Sequence, residues 1–177
     1  LQSIFSSFER SYPFGLVIAQ HMPTGFTRAF ADRLNRTSPF TVREARDGDR
    51  IEPGVALLAP GGHNLALEVA GVEVKARVLP PTADDRYVPS ADVLFNSCAE
   101  AFGSRMLAVV LTGMGNDGSK GVVTVKKKGG QVVAESEDSA VVYGMPREAV
   151  ATGCVDRVVP LPGIAQAILE CSGYDGQ

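Results

Sequence analysis

The sequence predicts an α/β fold: a doubly wound, mostly parallel sheet with helices on both faces and one antiparallel β-hairpin. Short apolar runs rich in β-branched residues alternate with segments of helical periodicity, which is the pattern of such a sheet. The clearest run, Met106–Leu111, ends abruptly in a glycine-rich loop, as a buried parallel strand does. Leu65–Val69 and Val72–Val78 alternate in hydrophobicity around a turn and predict the hairpin. No repeat or linker interrupts the pattern, so residues 1–177 are predicted to form one domain.

The remaining elements follow from the same two periodicities. Apolar residues recur at helical spacing up to about Arg10, before Pro13, and Ser90 is well placed to cap a later helix. Pro146 suits the first turn of a short helix. The other predicted helices cover Phe26–Leu34, Ala91–Phe102, Ser119–Lys128 and Ile164–Cys171, and the other predicted strands cover Phe14–Ala19, Thr41–Ala45, Val55–Ala59, Gln131–Ala134 and Val155–Val159.

Composition excludes several classes of function. The net charge of -3 offers no basic surface for nucleic acid or an anionic membrane, and no apolar run approaches the ~20 residues of a membrane span, so neither is expected as a partner. The cysteines, Cys98, Cys154 and Cys171, are scattered and odd in number, which predicts reduced, mostly buried thiols in a cytoplasmic protein. The chain begins at Leu1 within a predicted helix, so we expect it to be part of a longer protein.

His21 and Asp117 are the strongest candidates for chemistry. Both follow predicted parallel strands, and the carboxyl ends of such strands are where sites form in open α/β sheets. An imidazole that accepts a proton requires a carboxylate to orient it, so the two side chains would form a catalytic pair if their strands are neighbours. The alternative for Asp117 is an N-cap on the helix that starts at Ser119. His63, the other histidine, follows two glycines and is predicted to be a polar loop residue.

The sequence contains no evident nucleophile for this pair. There is no G-x-S-x-G motif, and Ser119 does not fit one by spacing. Ser136 and Ser139 lie in an acidic loop, and the cysteines have no activating neighbour in sequence. If the protein is a hydrolase, its nucleophile is expected before Leu1.

A nucleotide-binding module is the competing interpretation of the loop after Met106–Leu111. Gly113, Gly115 and Gly118 satisfy G-x-G-x-x-G between a strand and a helix, and Glu135 follows where a ribose ligand could stand. Against it, Asp117 would place negative charge where a pyrophosphate binds. No metal-binding cluster is evident, and no cofactor is expected.

Several motifs resemble the catalytic domain of the protein-glutamate methylesterases of bacterial chemotaxis, the CheB type. The similarity runs in order along nearly the whole chain, and its two longest motifs are specific. The matching segments are Gln20-His-Met-Pro23, Gly25-Phe-Thr27, Leu34-Asn35, Leu57-Leu-Ala-Pro-Gly61, Pro89-Ser-x-Asp-Val-Leu-Phe95, Leu111-Thr-Gly-Met-Gly-Asn-Asp-Gly118 and Val142-Tyr-Gly-Met-Pro-Arg-Glu-Ala149.

This resemblance implies a Ser-His-Asp hydrolase that removes methyl groups from glutamate γ-methyl esters on cytoplasmic helices of chemoreceptors and deamidates certain glutamines there. His21 and Asp117 match the family's catalytic histidine and aspartate, and Met114 matches a methionine beside the oxyanion region. The family's serine motif and its inhibitory receiver domain would precede Leu1, so the 177-residue chain alone is expected to be inactive. Asp117→Asn is expected to slow catalysis with little loss of fold.

A third possibility is a noncatalytic domain that docks receptor helices in the same cleft. It would bind receptor without releasing methanol, whereas a nucleotide-binding module would bind NAD(H).

Overall fold

The computed structural model describes residues 1–174 and confirms the predicted α/β class. The helices are α1 (Gln2–Ser6), α2 (Thr27–Thr37), α3 (Ala91–Phe102), α4 (Ser119–Lys127), α5 (Met145–Ala151) and α6 (Ile164–Cys171). The strands are β1 (Leu16–Ile18), β2 (Thr41–Glu44), β3 (Val55–Leu58), β4 (Asn64–Ala70), β5 (Glu73–Leu79), β6 (Leu107–Val110), β7 (Gln131–Glu135) and β8 (Arg157–Val159). None of the helices in residues 1–174 has the length and apolarity of a bilayer-spanning segment.

The first helix is shorter than predicted and ends at Ser6. The Ser6 and Ser7 hydroxyls both donate to the Ser3 carbonyl. These side chains compete with backbone N–H groups for a carbonyl in the last turn, as serines do near helix ends. Phe8 lies beyond the helix but is buried among aromatic rings that include Phe40. Its burial explains why the apolar pattern continues past the end of the helix.

The parallel strands form two three-stranded sheets, in the orders β1-β3-β2 and β6-β7-β8. β4 and β5 form the predicted antiparallel hairpin, with Asn64 opposite Leu79. Within residues 1–174, β1 pairs with β3 alone and β6 pairs with β7 alone. The doubly wound sheet is therefore divided between β1 and β6.

A cleft of about 560 Å³ lies between β1 and β6 and is lined by residues of both strands. Phe5 and Phe8 line it from the α1 side, and Leu94 and Cys98 line it from α3. His21, just beyond β1, stands at its edge. The cleft is thus an apolar slot between two strand edges that opens beside a candidate site residue.

Two hydrophobic cores cover the two faces of the sheets. Successive strand residues point to opposite faces, so Leu57 packs with α3, α4 and the hairpin while its neighbour Leu58 packs with α1, α2 and α6. Val132 and Val133 of β7 divide in the same way. This double burial explains why the strands are continuous apolar runs.

Candidate active site

His21 and Asp117 are in direct contact. His21 lies in the loop after β1, Asp117 lies in the loop between β6 and α4, and His21 Nε2 is 2.7 Å from Asp117 Oδ2. The side chain of His21 is 30% exposed, whereas that of Asp117 is 1% exposed. Since the residues after β1 and β6 meet in this pair, the two strands run in the same direction along the cleft. The pair joins a buried carboxylate to an imidazole that solvent can reach.

Asp117 is held at the N-terminus of α3. Its Oδ2 accepts from the Ala91 N–H at 2.6 Å, and its Oδ1 accepts from the Asp92 N–H at 3.0 Å and the Ser90 hydroxyl at 2.9 Å. These first N–H groups have no partner within the helix and favour an anion. The alternative role for Asp117, an N-cap on α4, is therefore wrong: Asp117 accepts from the first N–H groups of α3, whose N-cap is Ser90, whereas the Ser119 N–H of α4 bonds to the Asn116 carbonyl.

Asp92 makes the reciprocal contact. It lies in the first turn of α3, and its Oδ1 accepts from the Gly121 N–H of α4 at 2.6 Å. A Cβ at Gly121 would lie 2.6 Å from the Phe95 Cβ, so the glycine permits this close approach of the two helices. Burial raises the pKa of Asp92, and the charge of Asp117 adds to the effect. The N-terminus of α3 therefore binds Asp117, which precedes α4, and the N-terminus of α4 binds Asp92, which lies in the first turn of α3.

The hydrogen bonds of Asp117 determine the roles of the imidazole nitrogens. Burial alone would raise the pKa of Asp117, but hydrogen bonds from His21, from Ala91 and Asp92 N–H and from the Ser90 hydroxyl together lower it. The carboxylate is ionised and can only accept, so Nε2 of His21 must donate. Nδ1 is then the nitrogen of the neutral ring that can accept a proton.

The lowered pKa of Asp117 predicts an acid-sensitive fold. Its ionised form stabilises the native state fully above the pKa of an exposed aspartate, about 4, and this stabilisation is lost as pH falls through the lowered native pKa. We expect the urea midpoint of the wild type to fall below about pH 4 and that of Asp117→Asn to fall less. Urea titrations across this range test the prediction. An equal fall in both proteins would assign the acid sensitivity to other groups. Asp92 has a raised pKa, so in both proteins its effect on stability has the opposite sign and becomes more favourable as pH falls.

Tyr87 was not among the predicted site residues. Its ring is stacked on the His21 imidazole, with centroids 5.3 Å apart and planes 9° apart. Its hydroxyl lies 3.1 Å from Asn116 Oδ1. Nothing in its proline-rich loop indicates a contact with a distant histidine. The one feature of the sequence that could have drawn attention to Tyr87 is its position shortly before Pro89-Ser90.

Glu135 is a buried structural residue. It is 0% exposed, and its carboxylate accepts from the Thr112 N–H at 2.8 Å and from the Ser139 hydroxyl at 2.9 Å. A ribose cannot reach it. Asp92 occupies the N-terminus of α4, where a pyrophosphate would bind in the nucleotide interpretation. The contacts of Glu135 and Asp92 thus argue against a dinucleotide site at Gly113, Gly115 and Gly118.

Glu135 anchors the carboxyl end of β6, so its replacement should affect stability. Glu135→Ala removes the buried carboxylate that accepts from the Thr112 N–H and the Ser139 hydroxyl, and it should lower the free energy of unfolding by about 1–3 kcal/mol. Glu135→Gln retains an acceptor for Thr112, and Ser139 can turn its hydroxyl towards the Ser136 carbonyl, so the loss should be below about 1 kcal/mol. Urea denaturation of both variants measures this difference. Equal losses would show that the hydrogen bond to Thr112 has no special role.

Comparison with known proteins shows the family. Residues 1–168 match the family model described as CheB methylesterase. The chain belongs to the CheB methylesterase family. It is similar to the crystal structure of the Thermotoga maritima CheB methylesterase catalytic domain, with a TM-score of 0.92 and 37% identity over 96% of this chain and 89% of that one.

Curated CheB-family relatives are about twice as long as this chain. Protein-glutamate methylesterase/protein-glutamine glutaminase 3 of Geobacter sulfurreducens is 54% identical over 173 residues, which are 98% of this chain and 47% of the relative. The corresponding enzyme 1 of Myxococcus xanthus is 50% identical over 153 residues, 86% of this chain and 44% of the relative. The chain spans about half the length of these relatives.

Met114, which the CheB resemblance associates with the oxyanion region, lies in the same loop as Asp117 and is 78% exposed. It lines an open groove of about 500 Å³ together with Arg86, Val142 and Arg147. Gly113, the residue before it, bonds to the Val142 carbonyl through its N–H and accepts from the Met145 N–H, so the backbone at Met114 is tied to the start of α5.

Within residues 1–174 of this CheB-family chain, no hydroxyl or thiol hydrogen bonds to the His21 imidazole. Burial raises the pKa of the Cys98 thiol to about 12, which makes it inert at neutral pH. Cys154 and Cys171 are free thiols too, but only partly buried, so the expectation of mostly buried cysteines holds for Cys98 alone. The Ser139 hydroxyl donates to Glu135, and His63 lies in a loop, as predicted, where it is exposed. The described residues also contain no cluster of His, Cys, Asp or Glu able to hold a metal.

Proposed function

We propose that this domain hydrolyses glutamate γ-methyl esters, and deamidates specific glutamines, on the cytoplasmic helices of chemoreceptors during chemotactic adaptation. The observation that carries the proposal is the contact between His21 and the buried, ionised Asp117 at the end of two parallel strands. Membership of the CheB methylesterase family supplies the class of substrate. The names of the relatives, protein-glutamate methylesterase/protein-glutamine glutaminase, support both activities.

His21 is the general base in this proposal. Its Nδ1 takes the proton of a serine hydroxyl while the serine oxygen forms a bond to the γ-carbonyl carbon of the ester. Asp117 stabilises the imidazolium through Nε2. Collapse of the tetrahedral intermediate breaks the bond to the methoxy oxygen, which leaves as methanol with the proton from Nδ1. His21 then activates water in the same way, and glutamate and free serine are regenerated.

The serine is assigned to polypeptide that precedes Leu1. The cleft between β1 and β6 presents two strand edges that run in the same direction, and a parallel strand between them would pair with both at about 4.8 Å spacing. The apolar walls suit a strand that is buried on both faces. Since His21 stands at the edge of the cleft, the carboxyl end of such a strand would bring a serine towards Nδ1.

Met114 is assigned to the neighbourhood of the oxyanion. It shares the loop of Asp117, and its backbone is fixed by the bonds of Gly113 to Val142 and Met145. Backbone donors near the ends of β1 and β6 would stabilise the negative charge that develops on the carbonyl oxygen.

The domain organisation follows the same proposal. The chain covers 47% of one relative but 89% of the solved catalytic domain, which supports a catalytic domain within a longer protein. We assign a receiver domain to the preceding part, with the chemoreceptor helices as the substrate partner in the cytoplasm. No cofactor enters the mechanism.

The proposal is tested by methanol release from methyl-esterified receptor incubated with the full-length protein, whose receiver domain is first phosphorylated to relieve its inhibition. Release at an enzymatic rate, with calorimetry showing no saturable NAD(H) binding, is expected. A nucleotide-binding module would bind NAD(H) through Gly113, Gly115 and Gly118, and a docking domain would bind receptor without releasing methanol. Either result would overturn the proposal.

A further inference from the structure

Tyr87 contacts His21 and also Asn116, the residue before Asp117. Its ring lies parallel to the His21 imidazole at 5.3 Å. Its hydroxyl donates to Asn116 Oδ1 at 3.1 Å and accepts from the Asn116 N–H at 3.4 Å. Because Asn116 directly precedes Asp117, one side chain connects the base to the loop that carries its carboxylate.

The loop is shaped to receive the phenol. Gly115 has a φ of +90°, a conformation that favours glycine, and a Cβ at this position would overlap the Tyr87 hydroxyl. Arg86 places its guanidinium carbon 5.4 Å from the centre of the Tyr87 ring, within range of a cation–π contact. Three neighbouring groups thus hold the ring in place: the Asn116 side chain, the Gly115 backbone and the Arg86 guanidinium.

The bond between His21 and Asp117 does not by itself orient the imidazole. It fixes the position of Nε2 but allows the ring to tilt about the axis from Nε2 to Oδ2. A parallel ring in contact with one imidazole face opposes this tilt, because a tilted imidazole would lose the stacked contact. The direction in which Nδ1 points therefore depends on Tyr87.

We propose that Tyr87 is a positioning residue, which acts through His21 by holding the imidazole plane so that Nδ1 faces the nucleophile. This inference rests on the proposed function, since it gives Nδ1 the role of proton acceptor. The stacked ring supplies the main effect, and the hydroxyl bond to Asn116 keeps the ring in register with the Asp117 loop.

The kinetic test uses the full-length protein and methyl-esterified receptor. Tyr87→Leu should lower kcat about 2- to 10-fold with KM changed less than about 2-fold, because the stacking contact is lost while the substrate contacts remain. Tyr87→Phe keeps the ring and should retain most of kcat. Tyr174→Leu removes another partly buried tyrosine that contacts the rings of Tyr12 and Phe14, and it should leave kcat unchanged.

A second readout does not depend on turnover. The proton on His21 Nε2, observed by NMR in the full-length protein, should give a sharp low-field signal in the wild type and in Tyr87→Phe. The signal should broaden in Tyr87→Leu, because the ring then samples several orientations, and should stay sharp in Tyr174→Leu.

The results separate this inference from the proposed function. An unchanged kcat and a sharp signal in Tyr87→Leu would overturn the positioning role, as would a rise in KM alone, which would make Tyr87 a substrate contact. A wild type that releases no methanol would overturn the proposed function, and the NMR comparison would still decide whether Tyr87 orients His21.

Discussion

Replacing His21 with alanine in the full-length protein is expected to lower methanol release from methyl-esterified receptor by at least about 10⁴-fold. The substitution removes Nδ1 as proton acceptor and leaves the nucleophile as a poorly reactive neutral hydroxyl. His21 is partly exposed in a loop after β1, so the fold should survive its loss. Initial rates with saturating receptor, together with a denaturation curve for the variant, measure both effects.

His63→Ala is the matched control because His63 is the other histidine in the sequence and is exposed in a loop. It should retain near wild-type turnover. Near-normal turnover in His21→Ala, or an equal loss in the two variants, would contradict the assignment of His21 as the general base.

Asp117→Asn is expected to lower kcat by about 10³- to 10⁴-fold. The neutral amide no longer stabilises an imidazolium, and its NH₂ group can donate to Nε2 and so favour the wrong tautomer. The hydrogen bonds of Asp117 predict that the same substitution also costs stability, a larger loss than the sequence alone predicts. Either orientation of the amide turns its NH₂ group towards donors, namely the Ala91 N–H or the Asp92 N–H. We expect a loss of about 1–3 kcal/mol in the free energy of unfolding.

Asp84→Asn serves as the control for Asp117→Asn, because Asp84 is exposed in the loop before α3. Receptor demethylation rates and urea titrations of both variants check the prediction. Full stability with a large loss of rate would show that the hydrogen bonds at the N-terminus of α3 do not contribute to the fold. Full activity would exclude Asp117 from the mechanism.

Most secondary structure could be predicted because it depends on local patterns. The bounds of α3 are the predicted ones, since Ser90 caps the helix by accepting from the Val93 N–H. The hairpin follows from alternation around the Gly71 turn. The first helix was predicted too long, because apolar spacing continued to Phe8 although the Ser6 and Ser7 hydroxyls take backbone bonds in its last turn.

The candidate site could be predicted only in part. His21 and Asp117 stand out because both follow apolar strands and because the sequence has two histidines. The partners of Asp117 depend on how α3 packs against α4, which no local pattern encodes. The contact between Tyr87 and His21 likewise joins two loops that are far apart in sequence.

Glu135 is a residue whose surroundings its spacing in the sequence did not predict. Its spacing from the glycines indicated a ribose ligand, yet the structure buries it against Thr112 and Ser139. Spacing along the chain did not reveal which way a side chain at the end of β7 would point.

The most direct test of the central claim is active-site labelling of the full-length protein with a fluorophosphonate, which reacts with activated serines. If His21 activates a serine before Leu1, intact mass should show one adduct, peptide mapping should locate it to that serine, and His21→Ala should form no adduct. An adduct on a residue of the 177-residue chain, or labelling that persists without His21, would contradict the claim.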